Sequence, residues 1–213
     1  MKNKILTLLF ILSFIPVYAQ YDFRGSMGIN MVNTPFLRDY LQENYAQGEE
    51  VNSFSSAVEF GLEAGYEMEK YQIGIEYAFE MSSFNYAFIT GKYNFDYGVT
   101  SPSIMGYYLI KGEGYKFKFG GGVGPRLLSV DETKPPLSQA VNYKTTGFGV
   151  VLRADGTTAL GGNFYAYIGF DLRYNLIGKP ENNGQTIIMN AAKEELKMNS
   201  LSAGIKLGIA AIF

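Results

Sequence analysis

Chemistry alternates residue by residue along most of this chain, and that period of two constrains its fold more than any other feature. From Tyr21, one face reads Tyr21, Phe23, Gly25, Met27, Ile29, Met31 and the other Asp22, Arg24, Ser26, Gly28, Asn30. Successive side chains of a strand point to opposite sides, so this is a strand with one apolar and one polar face. The pattern recurs with Val58, Phe60, Leu62, Ala64, Tyr66 against Glu59, Gly61, Glu63, Gly65, and with Tyr71, Ile73, Ile75, Tyr77, Phe79, Met81 against Gln72, Gly74, Glu76, Ala78, Glu80. It returns near 115–124, 147–155, 164–174 and 201–213. A further strand near 101–111 has a facing that its sequence leaves open. The total is eight strands.

The connections alternate in length. Tight turns are expected near Met68, Gly112 and Gly162, and long connections at about 33–53, 82–100, 131–144 and 177–198. In the first long segment, Thr34 precedes Pro35, and Phe36, Leu37, Tyr40, Leu41 and Tyr45 have roughly helical spacing. The segment is either a short helix capped by Thr34 and folded over the barrel mouth, or an irregular loop. Residues 84–99 read as a hairpin extending strands three and four; as a separate pair in the membrane they would raise the count to ten. Residues 190–197 have room for one or two helical turns.

Alternation does not say which face is inside, since a soluble lipocalin-like barrel also alternates. Volume decides. The apolar face carries much of the chain's 17 Tyr and 16 Phe, and the interior of an eight-stranded barrel is only just wide enough for modest side chains. The opposite face is rich in Gly and charge, which suits a crowded concave surface. The expected fold is therefore an all-β, eight-stranded antiparallel up-and-down transmembrane barrel, with short periplasmic turns and long extracellular loops, because a closed barrel satisfies its backbone in lipid. Tyr21, Tyr66, Tyr71, Tyr115, Phe164 and Phe213 would form an interfacial girdle. At the N-terminus, Lys2 and Lys4, an apolar run at 5–16 and Ala19 before Gln20 read as a secretory signal peptide over 1–19, cleaved after Ala19. The run is short for a membrane helix. Residues 20–213 would be the barrel, placed in the outer membrane of a Gram-negative cell.

With its signal peptide, its eight alternating strands and the ending Leu207-x-Ile209-x-Ala211-x-Phe213, the chain resembles the small outer-membrane β-barrel family that includes OmpX and the membrane domain of OmpA. The resemblance implies that Leu207, Ile209, Ala211 and Phe213 form the signal read by the barrel assembly machinery, and that the protein is a monomer surrounded by outer-membrane lipid. It is specific for architecture and silent on activity. No room for a peptidoglycan-binding domain follows Phe213, so an anchoring role is not expected.

The inferred interior collects Asp22 with Arg24, Glu59, Glu63, Glu76, Glu80, Lys116, Lys118, Arg126, Arg153, Asp155, Asp171, Arg173 and Lys206. Buried charges must be paired, so these are expected to form a balanced network filling the lumen. The alternative is a narrow channel for small solutes or hydrophobic compounds. Glu59/Glu63 and Glu76/Glu80 lie ~13 Å apart along their strands, too far to act as catalytic pairs. The barrel enzymes of this size use His, and this chain has none; it also has no Cys. A non-enzymatic protein without metal or other cofactor is expected. The 120–124 glycine run lacks the helix and Lys-Ser/Thr ending of a phosphate loop. Net charge is −2, which gives nucleic acid no foothold. The expected role is envelope scaffold or surface adhesion, with Phe36, Tyr40, Phe88, Tyr93, Phe95 and Tyr97 as candidate loop contacts to a partner.

Overall fold

The backbone closes on itself. In the computed structural model, which describes residues 20–213 except 47, 49, 90, 137, 138 and 191, eight strands form a continuous antiparallel ring. They are β1 (Gln20–Asn33), β2 (Ser55–Glu67), β3 (Tyr71–Phe88), β4 (Gly91–Gly112), β5 (Tyr115–Thr133), β6 (Val141–Gly161), β7 (Phe164–Ile177) and β10 (Ser200–Ile212). Each pairs with its sequence neighbour, β5 with β6 included, and β10 pairs with both β7 and β1 to close the ring. The proposed signal peptide at 1–19 lies outside the described residues.

The remaining two strands, β8 (Glu181–Asn182) and β9 (Gln185–Thr186), form a small hairpin that leans on β6 through Lys144 and Glu181. Residues 84–99 add no wall strands. They lengthen β3 and β4, whose register runs unbroken from Tyr71↔Tyr108 to Phe88↔Gly91. β5 and β6 extend in the same way, so four strands rise beyond the others at the loop end.

Two local readings are corrected. The first long connection does contain a helix, α1 (Pro35–Asn44), but the Thr34 side chain does not cap it. With Pro35 at its first position the helix has one fewer N–H to satisfy, and its first backbone bond runs from Arg38 N–H to the Thr34 carbonyl, 3.0 Å. The described residues of 190–197 are not helical. The described part closes as a tight turn, with Lys193 at φ 61°, Lys193 N–H bonded to the Asn190 carbonyl, and Ile188 bridged to Glu195.

Side-chain facing follows the alternation. Phe60, Ile75, Phe119, Ile168 and Leu207 all point outward and are exposed, Ile75 by 66%. They belong to an apolar belt around the wall, a surface that would associate in water and is stable against hydrocarbon. Near the tight turns the belt ends in aromatic pairs packed edge to face, Tyr21 with Tyr66 and Tyr71 with Tyr108. Among the described residues no helix is long and apolar enough to cross a membrane; a barrel crosses with strands.

β4, whose facing the sequence left open, turns Met105, Tyr107 and Leu109 inward with Val151 as a small apolar cluster. The glycines of β5 make this possible. A Cβ on Gly122 would lie 2.2 Å from Met105 Sδ, and one on Gly120 would lie 2.8 Å from the Tyr107 ring. The glycine run is thus the complement of bulk on the next strand.

Candidate functional site

The lumen is packed with charge. Every charged side chain expected there is buried, none more than 6% exposed. The network is layered. Toward the tight turns, Asp22 accepts from Arg24 at 2.9 Å and lies 3.5 Å from Lys116, which also donates to Glu67 at 2.5 Å. Arg24 reaches Asp155 at 3.0 Å, and Lys118 bonds Glu63 at 3.0 Å while sitting 4.1 Å above the Tyr107 ring. In the middle, Arg153 ties together Glu63 at 2.8 Å, Asp171 at 2.6 Å, and Glu76. Arg173 bonds Glu59 at 3.0 Å, Glu76 at 2.7 Å and Asp171 at 2.7 Å. Lys206 completes the layer against Asp171 at 2.8 Å and Glu59.

The carboxylates do pair, but across strands rather than along them. Glu59 lies opposite Glu80 and Glu63 opposite Glu76 in the β2–β3 register. Like charges placed so are unfavourable alone. Arg153 bridges Glu63 and Glu76, and the Asn30 amide donates to both Glu59 and Glu80. The positions sum to a constant about the tight turn at 68–70, so a hairpin register would have revealed the pairs.

Arg126 and Glu80 depart from the expected ion pairing, each having neutral partners. Arg126 also explains a gap in the wall. The β4–β5 ladder passes from Thr100↔Leu127 to Ile104↔Val123, and the skipped stretch holds Pro102 and Pro125, which have no N–H to give. The Arg126 guanidinium fills in from inside. Its Nη1 donates to the Gly124 carbonyl at 3.2 Å, the Pro125 carbonyl at 2.9 Å and Ser103 Oγ at 3.1 Å, while Nε bonds Asn175 at 2.8 Å.

Above the charges the interior changes character. Leu37, Tyr40 and Leu41 of α1 pack with Tyr93, Phe95, Tyr97, Val99, Leu128, Val130, Ile177, Ile187, Leu196 and Met198 into one apolar core. Within it the buried carboxylate of Glu132 accepts from the hydroxyls of Tyr93, at 2.9 Å, and Tyr40, and pairs with Lys134 at 3.2 Å. Burial first, then neighbouring Tyr93 and Glu132, drive the Tyr40 phenol well above its ordinary range. Tyr45 stacks on Tyr93 with centroids 3.5 Å apart, and Asn44 donates to the Met189 carbonyl at 2.8 Å. The helix is therefore a stopper held by β4, β5 and the last long loop.

No family model matches this sequence, and no curated protein does. Solved structures do. Neisserial surface protein A matches at 14% identity with a TM-score of 0.53, over 90% of this chain and 96% of that one. Ail, the attachment invasion locus protein of Yersinia pestis, matches in complex with the heparin analogue sucrose octasulfate at 12% identity and a TM-score of 0.53, over 92% and 99%. A major outer membrane protein from Thermus thermophilus matches at 12% identity and a TM-score of 0.54, over 92% and 100%. The fold is that of a small outer-membrane β-barrel. At these identities the likeness concerns architecture alone.

Within this outer-membrane barrel fold the loop aromatics are corrected. Tyr40, Tyr93, Phe95 and Tyr97 are not displayed to a partner. They are buried in the stopper, because water rather than lipid surrounds this end and apolar rings gather inside. Phe88 is half-buried against the same core, whereas Phe36 stays exposed, with Lys197 Nζ 5.6 Å from its ring. Leu207, Ile209 and Phe213 of the final strand face outward, with Ala211 half-buried. Asn30, Glu67, Gln72, Tyr107, Glu132 and Asn175 are buried polar or aromatic partners that reasoning from charge alone missed. Among the described residues no group of three or more acidic, His or Cys side chains is placed to hold a metal ion.

Proposed function

We propose that this chain is a closed, non-enzymatic surface barrel of the outer membrane: a scaffold in the envelope whose loop end binds a partner. The observation that carries the reading is the double filling of the bore. A wide aqueous pore would leave the lumen charges hydrated, whereas Lys118 and Arg126 are fully buried and the stopper covers them with an apolar core. Ions crossing would have to break charge-assisted bonds in a low-dielectric interior. With Tyr40, Tyr93, Phe95 and Tyr97 withdrawn, the surface left for recognition is the exposed part of the loop end, which carries Phe36, Phe54, Ile89, Val141 and Ile188. An exported precursor, insertion through the barrel assembly machinery by the final strand, and a monomeric state accompany this reading. Recording in a planar bilayer tests it. The closed barrel predicts no stable ohmic openings; regular openings would establish the narrow channel instead.

A further inference from the structure

Tyrosines crowd the stopper, and two of them meet in a way the others do not. Tyr40, Tyr45, Tyr86, Tyr93, Tyr97 and Tyr143 belong to its core or pack against it. Tyr40 and Tyr45 meet edge to face with centroids 5.6 Å apart, and Tyr86 and Tyr93 are tilted at 6.4 Å. These are the separations that the charge distribution of aromatic rings favours. Tyr45 and Tyr93 instead lie face to face, 3.5 Å apart and 16° from parallel. Their hydroxyls reach the same spot. Tyr93 donates to Glu132 Oε1 at 2.9 Å, Tyr40 donates to the same oxygen, and the Tyr45 hydroxyl lies 3.3 Å from that of Tyr40. The two rings are therefore stacked with their phenol ends together, which lays the carbons flanking each hydroxyl over one another.

Those flanking carbons share the unpaired electron of a phenoxyl radical, and a bond between two of them makes a dityrosine. We propose that Tyr45 and Tyr93 form an oxidative cross-linking site, joined through their ring carbons by a one-electron oxidant generated from hydrogen peroxide. Tyr45 is half-buried at the end of α1 and gives the oxidant access; Tyr93 is fully buried on β4 and is oxidised through it. Each phenol loses one electron and one proton. Glu132 already accepts the hydrogen bond along which the Tyr93 proton leaves. The two radicals then combine in a new carbon–carbon bond, and the two displaced ring hydrogens return to the oxygens as phenol hydrogens. The net transfer is two electrons and two protons to one hydrogen peroxide, which becomes two waters. The product ties the C-terminal end of α1 to β4 and fixes the stopper in the barrel mouth. The site depends on the packing of that core and not on conduction, export or a partner, so a conducting barrel would leave it untouched.

Treating the folded barrel in lipid with a haem peroxidase and hydrogen peroxide tests the assignment. The protein should gain dityrosine fluorescence. Digestion should release one cross-linked pair of peptides, carrying Tyr45 and Tyr93 and lighter than their sum by two hydrogens. Y45F and Y93F each keep the ring and lose the phenol, and either should abolish the signal. Y86F, whose ring is tilted and 6.4 Å from Tyr93, should leave it unchanged. The heat-dependent gel shift of a folded barrel verifies each variant. Absence of dityrosine, a link confined to other tyrosines or formed between two barrels, or an undiminished signal in Y45F would overturn the proposal.

Discussion

The lower and upper halves of this barrel are built from the same strands with opposite chemistry. On β4 the outward residues change from Ile110, Tyr108 and Ile104 to Asp96, Asn94 and Lys92, while Tyr97, Phe95 and Tyr93 turn inward above Ser103, Ser101 and the small Met105, Tyr107 and Leu109 cluster. β3, β5 and β6 invert at the same height. On β5, Phe119 gives way to Asp131 outside as Lys118 gives way to Val130 inside. The strand register does not change across the inversion, so the surroundings account for it. Against hydrocarbon, apolar groups need no interior and polar groups have nowhere else to go. Against water the hydrophobic effect collects the rings inside, as in any soluble core. One continuous sheet therefore encloses two cores, held by ion pairs below and by apolar burial above.

The largest way to break this contrast is at the centre of the lower core. Arg153→Met leaves Glu63, Glu76 and Asp171 short of a cation and should cost about 3–5 kcal/mol. It is read as a fall in the urea midpoint of the lipid-folded barrel, with the exchange of α1 amides little altered; a loss under about 1 kcal/mol would show that the network is not what holds the lumen. Next is the wall gap. Arg126→Met strands the Gly124 and Pro125 carbonyls and should cost about 1–3 kcal/mol, with faster hydrogen exchange confined to β4–β5.

The upper core should respond separately. Glu132→Gln removes the charge that Tyr40 and Tyr93 bond, and should loosen α1 by about 1–2 kcal/mol while leaving the lumen intact. Hydrogen exchange across α1 checks this, and equal loosening of β7 and β10 would contradict two independent cores. The same bond sets a pH dependence. Because the folded Tyr40 pKa is raised, its contribution is full below the unfolded value of about 10 and falls as pH rises above it. Ultraviolet titration should find Tyr40 ionising well above the ordinary tyrosine range. The smallest effect belongs to the surface pair of Lys179 and Glu195. Glu195 has a lowered pKa, owing first to its bond from Lys179, so its contribution is present above the usual carboxylate range and lost as pH falls. Lys179→Ala should leave the unfolding midpoint unchanged at neutral pH, as solvent screens the pair.

The lower half was legible in the sequence because its rule is uniform: from Phe23 to Met31 or Ile168 to Tyr174, every second residue meets lipid. β4 was not, because over 101–111 both of its faces are apolar: Ile104, Tyr108 and Ile110 face out while Met105, Tyr107 and Leu109 face in. The carboxylate pairs were hidden for a different reason, since Glu59↔Glu80 depends on register across a turn rather than on spacing along a strand. The loop aromatics misled because exposure was assigned from their position in a long connection, whereas α1 and the extended strands provide enough apolar surface to bury them.

The inversion itself can be measured directly, since the chain has no Cys to remove. Single cysteines placed along the outward face of β4, at Lys92, Asn94, Asp96, Ile104, Tyr108 and Ile110, would be probed in lipid with a water-soluble thiol reagent. The account predicts rapid labelling at the first three positions and protection at 104 and 108, with the boundary falling between Asp96 and Ile104. Uniform labelling along the whole strand would contradict it.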